Sequence, residues 1–184
     1  IDERADIRMA VNSILLSKTF DNGMICASEQ SVVCLDEVYD KVRQEFLWRG
    51  AWFADKEQAE ALCGVIFKNG KVNSAIVGQP AYKIAAMAGI TVPESVKVLI
   101  AERDEVRPDD PFGHEKLSPV LGMYRVPDFT AALDTAKRLI LQGGAGHTSV
   151  LYTDESKRDR IDVFEEVMPT GRTLVNMPAS QGAI

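Results

Sequence analysis

The sequence predicts an α/β fold in which a mostly parallel sheet is covered by helices on both faces. Stretches with the apolar spacing of a helix alternate with short apolar or β-branched stretches along the whole chain. Parallel strands need long crossover connections, and the predicted helices are long enough to provide them. Neither an internal repeat nor a linker interrupts the alternation, so we predict a single domain over residues 1–184.

The first part of the chain is predicted to form a helix, a strand and two further helices. Apolar residues recur at helical spacing from Ile7 to Leu15, and Asp2 or Asp6 can cap the start. The next helix keeps this spacing and stops at Gly50, and the third begins in the acidic stretch "ADKEQAEAL". The predicted elements are a helix at residues 5–20, a strand at 31–36, and helices at 37–50 and 55–67.

The rest of the chain repeats the alternation of strands and helices. Most of the strands are short apolar runs such as "VKVLIAE", and the longest helix ends at two glycines. The predicted strands cover residues 73–78, 96–102, 119–126, 148–153 and 172–177, and the helices cover 81–89, 128–144 and 154–168. Residues 104–119 contain three prolines and a glycine, which predicts a long loop, and such loops often carry function.

The composition excludes several classes of protein. A formal net charge of −6 with 27 acidic residues argues against a nucleic-acid partner. The sequence has no apolar run long enough for a membrane span and no signal-peptide pattern. Three cysteines without a CxxC pair indicate neither a disulfide framework nor a metal site, and they fit a reducing cytoplasm. The first and last residues, "IDERADI" and "NMPASQGAI", suggest a fragment of a longer protein.

Cys26 has a different setting from the other two cysteines. It follows the turn signal Asn22-Gly23 and precedes the small residues Ala27 and Ser28, so backbone N–H groups can converge on its sulfur or on a bound oxyanion. A nucleophilic cysteine needs such local help, although a small residue that merely fills a loop is the alternative. Cys34 and Cys63 lie in predicted elements at positions that favour burial, so we expect them in the core.

The chain has two histidines, and both lie in glycine-containing loops next to a predicted strand. His114 stands in the long loop, and His147 follows "GGAG" before the strand at 148–153. Either ring could act as a general acid or base near neutral pH, whereas the simpler interpretation is a surface residue. Glu115, next to His114, could bind ribose hydroxyls or could face water.

Several of these stretches together resemble the aldehyde dehydrogenase superfamily. In that family a short glycine-containing stretch carries a nucleophilic cysteine, as "SKTFDNGMICASEQSVV" would here. The longer set is similar to the N-terminal half of the bifunctional, CoA-acylating aldehyde–alcohol dehydrogenases, in order and along essentially all 184 residues. The stretches that carry this resemblance are "SKTFDNGMICASEQSVV", "AIVGQPAYKIA", "HEKLSPVL", "GHTSVLYTD" and "NMPASQG".

The resemblance implies a role for three residues. Cys26 would be the nucleophile that attacks an aldehyde carbonyl, and its own backbone N–H would supply part of the oxyanion hole. Glu115 would bind the nicotinamide ribose of NAD, in a loop where Leu117 replaces the aromatic residue of the family. His147, in the "GHT" stretch of the acylating branch, would lie near the thioester and assist proton transfer. No metal site is expected in this chain.

The resemblance also implies a reaction and its partners. Acetaldehyde, NAD and CoA would give acetyl-CoA and NADH reversibly, through a thiohemiacetal and a thioester on Cys26, in fermentative ethanol metabolism. The NAD-binding half and the iron-dependent alcohol dehydrogenase half of the family are missing. We therefore expect NAD to be bound mostly by the missing half, iron only in the other, and a homo-oligomer or filament at full length.

Two alternatives stay open from the sequence. A hydrolytic aldehyde dehydrogenase would use water in place of CoA, although the residues around His147 favour the acylating branch. An assembly or redox module would carry a non-catalytic Cys26. In the leading interpretation the chain is a catalytic subdomain, and we expect it to bind NAD poorly and to turn over no aldehyde by itself.

Overall fold

A computed structural model describes residues 1–183 of the chain, and its secondary structure alternates as the sequence predicts. The helices are α1 (Ile7–Thr19), α2 (Asp36–Trp48), α3 (Lys56–Ile66), α4 (Ala81–Met87), α5 (Phe129–Gly143) and α6 (Arg158–Val167). The strands are β1 (Ser31–Leu35), β2 (Ala51–Ala54), β3 (Phe67–Lys68), β4 (Lys71–Val72), β5 (Val98–Arg103), β6 (Val120–Val126), β7 (Thr148–Leu151) and β8 (Arg172–Val175).

The main sheet is entirely parallel and has the strand order β1-β6-β5-β2. Its register places Ser31 opposite Gly122 and Leu99 opposite Val120. Strands β7 and β8 form a separate parallel pair, and β3 and β4 form a small antiparallel hairpin. The predicted α/β class with a mostly parallel sheet is confirmed, but the chain divides its strands among three sheets.

Helices cover both faces of the main sheet because its central strand β5 is apolar on both sides. Val98 and Ile100 belong to the core under α1 and α2, whereas Leu99 and Ala101 belong to the core under α3 and α4. Successive side chains of a strand point to opposite faces, so a strand buried on both sides is a continuous apolar run. Helix α5 packs on β1 and β6, and its Leu139 joins a smaller cluster there.

One predicted strand was wrong, and three short strands were missed. Within residues 73–78, Ser74–Ile76 form a short 3-10 turn rather than a strand, because the Asn73 side chain accepts the N–H of Ala75 and donates to the carbonyl of Val65. The edge strand β2 was missed, since its four residues lie between two helices and carry little alternation. The β3–β4 hairpin, with two residues in each strand, was missed for the same reason.

Carboxylate caps begin three of the helices. Asp6, rather than Asp2, accepts the N–H of Met9 at the start of α1, at 3.0 Å from oxygen to nitrogen. Asp55 and Gln58 form a reciprocal capping box on α3, and Asp128 caps α5. None of the helices within residues 1–183 has both the length and the apolar character that crossing a membrane requires.

Candidate active site

The loop before Cys26 begins with three consecutive residues in the left-handed region. Asp21, Asn22 and Gly23 have φ values of 49°, 48° and 74°. Most side chains resist this conformation, whereas Asn and Asp adopt it more readily and Gly adopts it freely. The sequence "DNG" is therefore suited to a tight left-handed bend, and the bend turns the chain from α1 towards Cys26.

Gly23 also allows a close approach between the Cys26 loop and the long loop of the chain. A Cβ at this position would lie 2.8 Å from the carbonyl carbon and oxygen of Ser118 and 3.1 Å from the carbonyl oxygen of Lys18. These are backbone atoms that have little freedom to move aside. The Asn22 Nδ2 donates to the Gly78 carbonyl at 3.0 Å, which ties the bend to a third segment.

Among the described residues Cys26 is the exposed cysteine. Cys34 is buried in β1, and burial raises the pKa of its thiol to about 11. Cys63 is half-buried in α3, and burial raises its pKa to about 11 as well. The expectation of a packed environment holds fully for Cys34 and in part for Cys63. Both thiols are held protonated at neutral pH.

Cys26, Glu115 and His147 line one open cavity, which lies between their loops and helix α5. Cys26 precedes β1, Glu115 precedes β6, and His147 directly precedes β7. The three residues therefore lie at the amino ends of these strands, and the cavity continues along β1 and β7. Ligands in open α/β sheets usually bind at the carboxyl ends, so this placement is unusual for a parallel sheet.

Glu115 and His147 face each other across the cavity, with 4.0 Å between Oε1 of Glu115 and Nε2 of His147. The His147 Nδ1 lies 2.9 Å from the Gly144 carbonyl oxygen, which can only accept a hydrogen bond. Nδ1 therefore carries the proton in the neutral ring, and Nε2 is left with its lone pair towards the cavity. The structure brings together the three residues that the sequence nominated.

His114 also borders the cavity, but its ring is engaged elsewhere. Its Nε2 lies 2.9 Å from the Pro108 carbonyl oxygen, and its ring centroid lies 5.1 Å from that of Phe67, with the ring planes tilted by 49°. A hydrogen bond to a backbone carbonyl leaves this nitrogen without a lone pair for catalysis. The structure thus favours the simpler interpretation of His114.

A layer of buried charged and polar groups lies beneath the cavity, and the sequence did not predict it. Lys18 and Lys116 have no exposed surface. Burial lowers the pKa of Lys18 to about 7 and the pKa of Lys116 well below its usual range. Burial also raises the pKa of Glu29 to about 7. The only sequence signal was the polar pair Glu29-Gln30 directly before the apolar strand β1.

Several buried polar atoms around the cavity have no hydrogen-bond partner among the described residues. They are the hydroxyls of Ser28, Ser31 and Thr148 and the Oε2 of Glu29. Buried polar groups are nearly always hydrogen-bonded, so a group of unpartnered ones calls for a physical reason. A polar ligand or water in the cavity would supply the missing partners.

The chain is similar along its whole length to aldehyde–alcohol dehydrogenases, although no model of a known protein family matches it. It is 55% identical over 185 residues to the bifunctional aldehyde-alcohol dehydrogenase of Escherichia coli K12. It is 56% identical over 184 residues to an aldehyde-alcohol dehydrogenase of Clostridium acetobutylicum. In both cases the match covers 100% of this chain and 21% of the relative, so the chain spans about a fifth of their length.

Solved structures share the fold. An acetylating aldehyde dehydrogenase from Geobacillus thermoglucosidasius superimposes with a TM-score of 0.95 at 39% identity, over 98% of this chain and 40% of that one. A probable aldehyde dehydrogenase from Listeria monocytogenes gives 0.95 at 40% identity, over 100% of this chain and 40% of that one. By sequence identity and by fold, the chain belongs to the CoA-acylating branch of the aldehyde dehydrogenase superfamily.

Proposed function

We propose that residues 1–184 form the cysteine-bearing catalytic part of a longer NAD-dependent, CoA-acylating acetaldehyde dehydrogenase. The observation that carries this proposal is the cavity that the exposed Cys26 lines together with the Glu115 carboxylate and the free nitrogen of His147. The relatives named above have matching activities in their names, which supports the same assignment. The longer protein would also carry an NAD-binding part and an iron-dependent alcohol dehydrogenase part.

Glu115 fits a role in holding NAD. Its half-exposed carboxylate has no hydrogen-bond donor among residues 1–183, and His147 at 4.0 Å is too distant for one. Two carboxylate oxygens without partners can accept hydrogen bonds from the two hydroxyls of a ribose. The remaining contacts to the dinucleotide would come from the other part of the protein.

Cys26 would begin the reaction by attacking the aldehyde. Its sulfur forms a bond to the carbonyl carbon, the carbonyl electron pair moves to oxygen, and the thiol proton passes to that oxygen, giving a thiohemiacetal. Within the described residues the N–H of Cys26 has no acceptor, so it is available to that oxygen. NAD, when bound, would supply the acceptor for the hydride of that carbon. The hydroxyl proton would pass to water, which leaves a thioester on Cys26.

Cys26 would then pass its acyl group to the thiol of CoA. His147 is suited to take the thiol proton, because Gly144 fixes its tautomer and leaves Nε2 as the acceptor. A new sulfur–carbon bond forms to CoA as the bond to Cys26 breaks and releases its thiolate. Exchange between two thioesters is nearly balanced, so concentrations set the direction. In fermentation we expect the direction towards aldehyde and ethanol.

The wider setting of the enzyme is also part of the proposal. A cytoplasmic location fits a chain whose three cysteines are all free and one of which must stay reduced to react. We expect the full-length protein to assemble into a homo-oligomer or filament, which light scattering and electron microscopy would show.

The test is transfer of an acetyl group to Cys26 in the full-length protein that contains this chain. The protein is incubated with acetyl-CoA without NADH, so that the acyl group is not reduced, and is then digested for peptide mass spectrometry. We expect one acetyl group on the Cys26 peptide, removable by hydroxylamine, and none on the Cys63 peptide. An unmodified Cys26 under these conditions would favour the hydrolytic enzyme or a non-catalytic thiol.

A further inference from the structure

The inference below rests on the proposed function and concerns a residue that the reaction steps above do not use. The loops that carry Cys26 and Glu115 are far apart in sequence, yet both must present their side chains to one cavity. Side chains in a reacting site must be held closely, because a displacement of about 1 Å can cost about 100-fold in rate. Gln30 is the residue whose side chain contacts both loops.

The Gln30 amide makes three hydrogen bonds at the base of the cavity. Its Oε1 accepts the backbone N–H of Lys116 at 3.0 Å and the Nζ of Lys18 at 3.2 Å. Its Nε2 donates to the carbonyl of Ser28 at 3.3 Å. A flipped amide would point its NH₂ group at two donors, so the network permits one orientation only.

These contacts fix the backbone on both sides of Glu115. On one side, the Nζ of Lys116 donates to the carbonyl of His114 at 2.6 Å and to the carbonyl of Phe112 at 2.7 Å. On the other side, the N–H of Lys116 is held by Gln30. The Glu115 side chain therefore leaves a backbone that is anchored before and after it.

The network is costly to bury, which argues that more than packing maintains it. The side chains of Lys18 and Lys116 are fully enclosed, and a buried amine loses its hydration. An apolar residue of similar length would fill either space without that cost. The Lys18 amine is instead bonded to Gln30 on the Cys26 loop, and the Lys116 amine to the His114 carbonyl on the Glu115 loop.

We propose that Gln30 is a positioning residue that sets the loop of Cys26 against the loop of Glu115, and thereby sets the thiol relative to bound NAD. The amide is the shared contact: one end holds the carbonyl of Ser28, two residues after the thiol, and the other holds the N–H next to Glu115. The side chain acts through these neighbours and does not itself touch the substrate.

Three variants of the full-length protein test this role by steady-state kinetics of NADH formation from acetaldehyde and CoA. Gln30→Met keeps the volume but removes every hydrogen bond. Gln30→Asn keeps the amide but shortens its reach, so it stays informative if Gln30→Met fails to fold. Gln30→Glu keeps an acceptor oxygen for Lys116 and Lys18. The control is Gln58→Met, because the Oε1 of Gln58 also accepts two hydrogen bonds, from Asp55 N–H and Trp52 Nε1, far from the cavity.

We expect Gln30→Met and Gln30→Asn to lose about tenfold or more in kcat/KM for NAD, with KM for NAD raised. Gln30→Glu keeps the hydrogen bonds at Oε1 but loses the one to the Ser28 carbonyl, so its loss in kcat/KM should lie between the wild type and Gln30→Met. Gln58→Met should lower the melting temperature but leave KM for NAD unchanged. If Gln30→Met and Gln30→Asn lose no more kcat/KM for NAD than Gln58→Met does, the positioning role is wrong. A wild-type protein without CoA-dependent NADH formation would instead overturn the proposed function, and this inference with it.

Discussion

At the scale of single residues, the exposure of Cys26 follows from the bend that precedes it. The left-handed conformation of Asp21 and Asn22 directs the chain away from α1, and Gly23 lets the bend lie against Ser118. Cys34 has no such bend and is enclosed by the core between β1 and its covering helices. The contrast between the two thiols is therefore one of backbone geometry, since the side chains are identical.

The buried carboxyl of Glu29 should make the stability of the folded protein depend on pH. Burial raises the pKa of its carboxyl from 4.5 to about 7 in the folded state, so the folded protein holds a proton that the unfolded chain has released. The stability of this site is therefore greatest below pH 4.5 and is lost as the pH rises to about 7. Glu29→Gln removes the titration and keeps an acceptor for the Ala179 N–H.

The measurement is the melting temperature of the full-length protein and of its Glu29→Gln variant as a function of pH. Relative to the wild type, the free energy of unfolding of the variant should rise between pH 4.5 and 7 by on the order of 3 kcal/mol. Glu94→Gln, at an exposed glutamate, is the control and should follow the wild type. Parallel curves for wild type and Glu29→Gln would show that the carboxylate stays ionised and well solvated.

At the scale of elements, helix α5 sets how closely the Glu115 loop approaches the cavity. Its last residue, Gly143, lies directly against that loop. A Cβ there would lie 3.0 Å from the Gly113 carbonyl oxygen, 3.6 Å from Cα of His114 and 3.9 Å from the Glu115 nitrogen. The missing side chain is what allows the helix end and the loop to meet.

Gly143→Ala should therefore move the Glu115 loop by a few tenths of an ångström and weaken NAD binding. We expect KM for NAD to rise about threefold to tenfold, with a smaller change in kcat, in the full-length protein. Gly64→Ala is the matched control, because Gly64 is also helical but a Cβ there would meet nothing within 4 Å. The control should keep its KM and gain up to about 1 kcal/mol in stability from helix propensity.

An unchanged KM in Gly143→Ala would mean that the loop can shift without effect on NAD. That result would argue against Glu115 as the residue that holds the ribose, because a Cβ at position 143 presses on the loop from Gly113 to the Glu115 nitrogen. Measuring KM for NAD in Gly64→Ala shows whether an alanine in a helix changes KM by itself. The comparison thus tests the helix contact separately from stability.

At the scale of the whole molecule, the sequence predicted the alternation of elements because each helix and each buried strand has its own apolar period. Strand β2 and the hairpin were not predictable in this way, since two to four residues carry no period. In the candidate site, Cys26, Glu115 and His147 came from local motifs. The roles of Lys18, Gln30 and Lys116 could not, because they arise where segments 86 residues apart meet.

The position of the cavity relative to the sheets is also a property of the whole molecule. Cys26 and Glu115 precede strands of the main sheet and His147 precedes the β7–β8 pair, so the site is an open cavity between the two sheets. This arrangement supports the proposal that another part of a longer enzyme holds most of the dinucleotide. We accordingly expect residues 1–184 alone to show weak NAD binding and no turnover of aldehyde.

The most direct test of the central claim is NADH formation from acetaldehyde by the full-length protein, measured with and without CoA, in wild type, Cys26→Ala and Cys63→Ala. We predict activity that requires both CoA and Cys26 and that persists in Cys63→Ala, because Cys26 alone would carry the acyl group between hydride transfer and CoA. Activity that needs Cys26 but ignores CoA would make water the acceptor. Unchanged activity in Cys26→Ala would contradict the account altogether.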